Sequence, residues 1–118
     1  MKIKLVNNEL ECILVSGEKQ YIQNNHRDVL TFVFDNSVSM DELDNLFNES
    51  NCETIKLFDD ENGENIYNAY TLRVGLSKKD EIVQEATADT DEVRETRIYV
   101  SMAQRTYIET KLKELGIL

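Results

Sequence analysis

At 118 residues, with a formal net charge of −10, two cysteines and no proline, the chain reads as one domain, 1–118. A domain of that size buries roughly two thirds of its unfolded surface without a disulfide or metal staple. The acid excess argues against direct contact with nucleic acid, whose phosphates would be repelled. No apolar run approaches the roughly 20 residues of a membrane helix, and Met1-Lys2-Ile3-Lys4 alternates where a signal peptide would be solidly apolar, so a cytosolic product is expected.

Ile3 and Leu5, then Leu10, Cys12 and Leu14, alternate with polar residues around Asn7-Asn8, so residues 2 to 15 predict a β-hairpin. Residues 16 to 27, SGEKQYIQNNHR, are polar and broken by Ser-Gly; they read as a loop with at most a short strand. DVLTFVFD, 28 to 35, sets Leu30, Phe32 and Phe34 on one face and Val29 and Val33 on the other, the pattern of a central strand covered on both sides. Ser39 and Glu42 then form a capping-box pair, Val38 and Leu43 can close a staple, and a short helix is expected from Met40 with Met40, Leu43, Leu46 and Phe47 on its buried face.

Thr54 to Phe58 alternates, and Asn62-Gly63 within FDDENGENIY predicts a type I′ turn into a strand from about Ile66 to Ser77. The acids of that stretch invite a calcium reading. With Gly63 in sixth place, Asp60 and Asn62 fit an EF-hand loop, but Phe58 and Ala69 occupy the obligatory first and last ligand positions, so no metal is expected. Residues 78 to 95, KKDEIVQEATADTDEVRE, are a long polar connection to the alternating run 96 to 103; a projecting hairpin or flexible loop is expected there. Ile108, Leu112 and Leu115 at i, i+4 and i+7, a Glu109/Lys113 pair and Gly116 as the residue after the last turn predict a C-terminal helix. The expected fold is α+β, mainly antiparallel, with about six strands in a sandwich or partly open barrel, one short mid-chain helix and one C-terminal helix.

Chemistry is sparse. Cys12 and Cys52 lie far apart in apolar-alternating contexts and read as reduced core thiols. The lone His26 sits in a polar stretch with no serine or cysteine placed beside it by any motif, and Asn48-Glu49-Ser50 matches a glycosylation acceptor without a secretory signal. No phosphate-binding glycine motif is present, so no catalytic residue, cofactor, metal or small-molecule substrate is expected. Arg94, Arg97, Tyr99, Arg105 and Tyr107, with Gln104, make a cationic and aromatic stripe around the last strand and helix, of the residue types that interfaces favour; salt bridges to neighbouring acids would explain the same residues.

DVLTFVFDNSVSMDELDNLF, CETIKLFDDENGENIYNAYTLRVGLSKK and VRETRIYVSMAQRTYIETKLKEL resemble, in order and spacing, small uncharacterised proteins of phages and prophages of Gram-positive bacteria, encoded among tail and baseplate genes. The resemblance implies a non-enzymatic structural or tail-baseplate assembly role through protein–protein contacts, with other phage structural proteins or copies of itself as partners and the virion as destination. It carries over no site residue. Residues 78 to 95 would then be the docking arm. The alternative is a small acidic inhibitor that mimics nucleic acid and blocks a DNA-binding protein, which calls for carboxylates spaced like phosphates on a folded face.

Overall fold

The structure, a computed structural model, describes residues 1–59 and 63–116, with Val83 by its backbone alone. The hairpin expected over residues 2 to 15 forms over a shorter span, from β1 (Lys2–Lys4) and β2 (Glu9–Glu11) with Ile3 opposite Leu10, while Leu14 pairs with Val33 in the other sheet. Its connection is tied down by buried Asn51. The Asn51 amide donates to Asn8 Oδ1 (3.0 Å) and to the Leu46 carbonyl (2.8 Å), and its own Oδ1 accepts from the Asn7 N–H (2.8 Å).

Residues 16–27, expected as a loop, are instead two strands and their turn. β3 (Leu14–Ile22) pairs along its whole length with β4 (Asn25–Phe34), from Leu14 opposite Val33 to Ile22 opposite Asn25. Gln23 and Asn24 adopt φ of 50° and 63°, the two successive positive values of a type I′ turn. β3 is polar because it is a sheet edge with most of its side chains in solvent. β4 is interior: Leu30, Phe32 and Phe34 enter the core, and Val29 and Val33 are buried as well.

α1 (Met40–Leu46) starts where its cap predicts, with Ser39 Oγ accepting from the Glu42 N–H at 3.1 Å. Leu43 and the following Phe47 are fully buried, the Phe47 ring 5.3 Å from Phe32 and 5.9 Å from Phe34. No basic residue lies in the helix's last turn; Arg73 supplies the cation from a distant strand. Its guanidinium donates to the carbonyls of Asp44 (2.9 Å) and Phe47 (2.7 Å) and to the Asp44 carboxylate (2.8 Å), satisfying helix-end acceptors and the dipole together.

β5 (Thr54–Asp59) pairs with β1 on one side and β6 (Gly63–Asn68) on the other. Glu64 stands opposite Phe58 and Gly63 opposite Asp59, so the connection is longer than the two-residue turn expected at Asn62-Gly63. Gly63 does take the positive φ, 76°; Asp60, Glu61 and Asn62 lie outside the described residues. The expected strand from Ile66 to Ser77 is two strands in different sheets. Ala69, at φ 66°, breaks the run, and β7 (Leu72–Gln84) joins the other sheet beside β8 (Val93–Ala103).

The described residues thus give eight strands, two more than expected, in two four-stranded antiparallel sheets ordered β2-β1-β5-β6 and β3-β4-β8-β7. They enclose one apolar core as an open sandwich. Cys12 and Cys52 are buried and free, and burial pushes their thiols up to about 11 and about 12. α2 (Tyr107–Glu114) has a full capping box between Thr106 and Glu109 and ends at Gly116, φ 76°. The C-terminal helix is where the spacing predicts it, but no α2 residue is buried, and Ile108 and the following Leu115 are 69% and 73% exposed.

Candidate interaction site: the β7–β8 arm and the ionic clamp at its base

Pairing between β4 and β8 stops at Phe34 opposite Ile98, whereas β7 follows β8 outward to Gln84 opposite Val93. Five β8 residues, Val93 to Arg97, therefore belong to a ribbon of two strands only, about 17 Å long at about 3.4 Å per residue, with 85–92 as its tip. The molecule measures 63 × 30 × 27 Å. Its radius of gyration of 16.4 Å exceeds the about 13.5 Å of a compact chain this long.

The arm is held by ladders of side chains. Thr96 donates to Asp80 (2.8 Å), the Tyr99 hydroxyl to Glu81, Arg97 pairs with Glu95 (2.8 Å), and Lys79 sits over the Tyr99 ring at 5.0 Å. At the tip the Thr87 N–H donates to the Thr90 carbonyl (2.8 Å), and the two threonine hydroxyls bond at 2.6 Å. A bulge falls between Ile82 and Gln84. Along the ribbon both outer backbone edges lack a neighbouring strand among the described residues, the geometry that accepts an added strand.

The five arginine and tyrosine positions singled out in the sequence do not form one stripe. Arg97 and Tyr99 share the outer face at the arm's root, while strand alternation puts Arg94, paired with Glu92, on the opposite face. Tyr107 opens α2, 75% exposed, under Lys111. Arg105 is inside: its side chain is 7% exposed and donates to Thr71 Oγ1 (2.6 Å), Glu49 (3.0 Å) and Glu53 (3.3 Å). Gln104 donates to the Asn68 carbonyl at 3.1 Å.

Arg105 is one part of a clamp that seats α2 by charge. Lys113 reaches Glu49 and Glu53, not Glu109 as the i, i+4 spacing predicts, and these hydrogen bonds hold its ammonium above its usual range. Burial alone would raise the Glu53 carboxyl; Lys113 and Arg105 outweigh it and hold the group below its ordinary value. Glu109 turns to Arg27, whose side chain is fully buried. The Arg27 guanidinium grips both Glu109 oxygens and also donates to the carbonyls of Ile22 (2.9 Å) and Gln104 (3.2 Å). With Arg27 first, and the Thr106 N–H and hydroxyl after it, the Glu109 carboxyl is held down at about 2 against burial. Sequence reasoning missed this pair: Arg27 stands between His26 and Asp28 in a polar stretch, and nothing local marks it as the partner of a residue 82 positions further on.

His26 lies exposed on β4 with its ring 5.0 Å from Tyr21. Among the described residues no three His, Cys, Asp or Glu side chains converge as a metal site, and no helix is long and apolar enough to cross a membrane. Comparison with known families, characterised proteins and solved structures gives no match to this chain.

Proposed function

We propose that the chain is a non-enzymatic assembly subunit, of the phage tail-baseplate structural class that the sequence resembles, and that it docks to a neighbour through the β7–β8 arm. The observation that carries this reading is the two-stranded ribbon from Val93 to Arg97, which leaves the sandwich with unpaired edges on both sides. A partner of the same assembly, another structural protein or a second copy, would add a strand to one of those edges. The virion is then where the protein works. A nucleic-acid mimic is less well supported, because Asp80, Glu81, Glu92 and Glu95 already engage Thr96, Tyr99, Arg94 and Arg97.

Deleting residues 84–91 should leave a folded monomer with an unchanged thermal midpoint and abolish incorporation into particles. Normal incorporation of the deletion variant would sink the reading. Recovery of a nuclease or polymerase from host lysate in a salt-sensitive complex would favour the mimic instead.

A further inference from the structure

One end of the sandwich is not filled. Along the inner face of β4 the side chains run Phe34, Phe32, Leu30 and then Asp28, so the core gives way to a carboxylate. Opposite Leu30 stands Gly17, which contributes no side chain. Between the sheets there is a cleft of about 460 Å³ with Leu30 and Leu57 inside and Asp28, Lys19, Tyr67 and Tyr70 around it.

Two polar groups of this cleft have no side-chain partner among the described residues. Tyr70 is 6% exposed, with its ring packed edge-on at 5.8 Å and 83° against Tyr67. Among the described residues its hydroxyl has no hydrogen-bond partner. None of their fully buried polar side-chain atoms lacks one, so this hydroxyl opens to the cleft it lines. The ring is buried but its oxygen is within reach of a molecule entering the cleft. The Asp28 carboxylate, exposed at the rim of the cleft, makes no ion pair or side-chain hydrogen bond among the described residues, although Lys19 stands directly across the strand pair. Asp59 adds a second acid on the facing sheet. Burial first, and the Asp28 charge second, raise the Tyr70 hydroxyl pKa and keep the group neutral.

An anion would meet the Asp28 charge here, and a neutral ligand would gain nothing from it. A cation with N–H groups satisfies Asp28, gives the hydroxyl oxygen a donor and gains from an aromatic wall. The chain's net charge of −10 draws cations from solution. We propose that this cleft binds an organic cation, a primary ammonium or guanidinium on an aliphatic stem. Asp28 is its counter-charge, the Tyr70 hydroxyl its hydrogen-bond acceptor and Tyr67 its aromatic wall. The head group comes either from a free amine or from a lysine or arginine side chain of another protein.

Calorimetric titration of the intact protein with cadaverine, and separately with a capped tetrapeptide carrying one central lysine, tests the site and its source. Saturable binding of cadaverine alone assigns a free amine, and tighter binding of the peptide assigns a side chain. Asp28→Asn should weaken the better probe about 10-fold or more, a loss of about 1.4 kcal/mol, and Lys19→Met should tighten it by removing a competing cation. Tyr70→Phe should weaken binding without lowering the thermal midpoint, since the hydroxyl has no partner to lose; a purely structural tyrosine would lower the midpoint instead. The proposal is overturned if neither probe saturates, if Asp28→Asn binds as wild type does, or if hexanoate binds as well as cadaverine. Removing residues 84–91 leaves the cleft intact, so this site and the docking arm stand or fall separately.

Discussion

Replacing Glu109 by glutamine removes a charge and little else, because a glutamine Oε1 can still accept from the Thr106 N–H and complete the capping box. What it leaves behind is the Arg27 guanidinium, its side chain wholly out of solvent, facing a neutral amide in place of the carboxylate that carried its counter-charge, with no acceptor where Oε2 took its second hydrogen bond. The size of the loss follows from the carboxyl itself. Its ordinary value of 4.5 falls to about 2 in the folded protein, and at about 1.4 kcal/mol per pH unit that gap corresponds to about 3 kcal/mol. Because the Glu109 side chain is 22% exposed, solvent screening reduces this to about 2 kcal/mol; breaking a fully buried pair would cost about 3–5 kcal/mol. Glu109→Gln should therefore lower the unfolding free energy at pH 7 by about 2–3 kcal/mol. The folded value lies below the unfolded one, so the wild-type advantage is complete above about pH 4.5 and fades as pH falls toward about 2. Urea unfolding of both proteins between pH 7 and pH 2 gives the difference curve, from which the titrations common to both cancel. A difference under about 1 kcal/mol at pH 7, or one that stays constant down to pH 2, would refute the clamp.

Phe47→Ala should cost about 3–5 kcal/mol in equilibrium urea unfolding, since the ring is buried between Phe32 and Phe34; the half-buried neighbour Leu46 changed to alanine should cost clearly less. Ala69→Gly should leave stability unchanged or raise it by up to about 1 kcal/mol, because the strain of a left-handed alanine outweighs the added freedom of a glycine in the unfolded chain. Ala69→Val at the same site should destabilise, and a thermal melt of the two variants reads the sign. Cys12 and Cys52, raised to about 11 and about 12 by burial, should react with a disulfide reagent at pH 8 only as fast as the protein unfolds; labelling of the native protein within seconds would contradict their placement.

The parts of this fold that depend on local chemistry could be read from the chain. Ser39 and Glu42 located the start of α1, and the double-sided apolar run at 28–35 located the interior strand β4. What could not be read depended on distant partners. β3 looked like a loop because an edge strand needs little apolar surface. The run from Ile66 to Ser77 looked like one strand because its break falls at Ala69, a residue with no turn signature, held where it is by the Glu53 carbonyl accepting from its N–H and by its own carbonyl accepting from the Arg105 N–H. At the candidate site the arm's length followed from the polar stretch 78–95, whereas the scatter of Arg94, Arg97, Arg105 and Tyr107 over different surfaces follows from strand alternation and from the acids that capture each arginine. Asp28 and Tyr70 carry no signal in sequence, since they lie 42 positions apart and meet only when the two sheets stack.

A helix seated by ion pairs and without buried side chains can lift away without wetting the interior. Detachment of α2 would expose little new apolar surface, so it should leave almost no trace in the heat capacity or in the denaturant slope. Amide hydrogen exchange would see it. The N–H groups of Thr110 and Leu115 would trade with solvent under acid or high salt, while those of Phe32 and Val100, in paired strands, keep their protons until the whole domain opens.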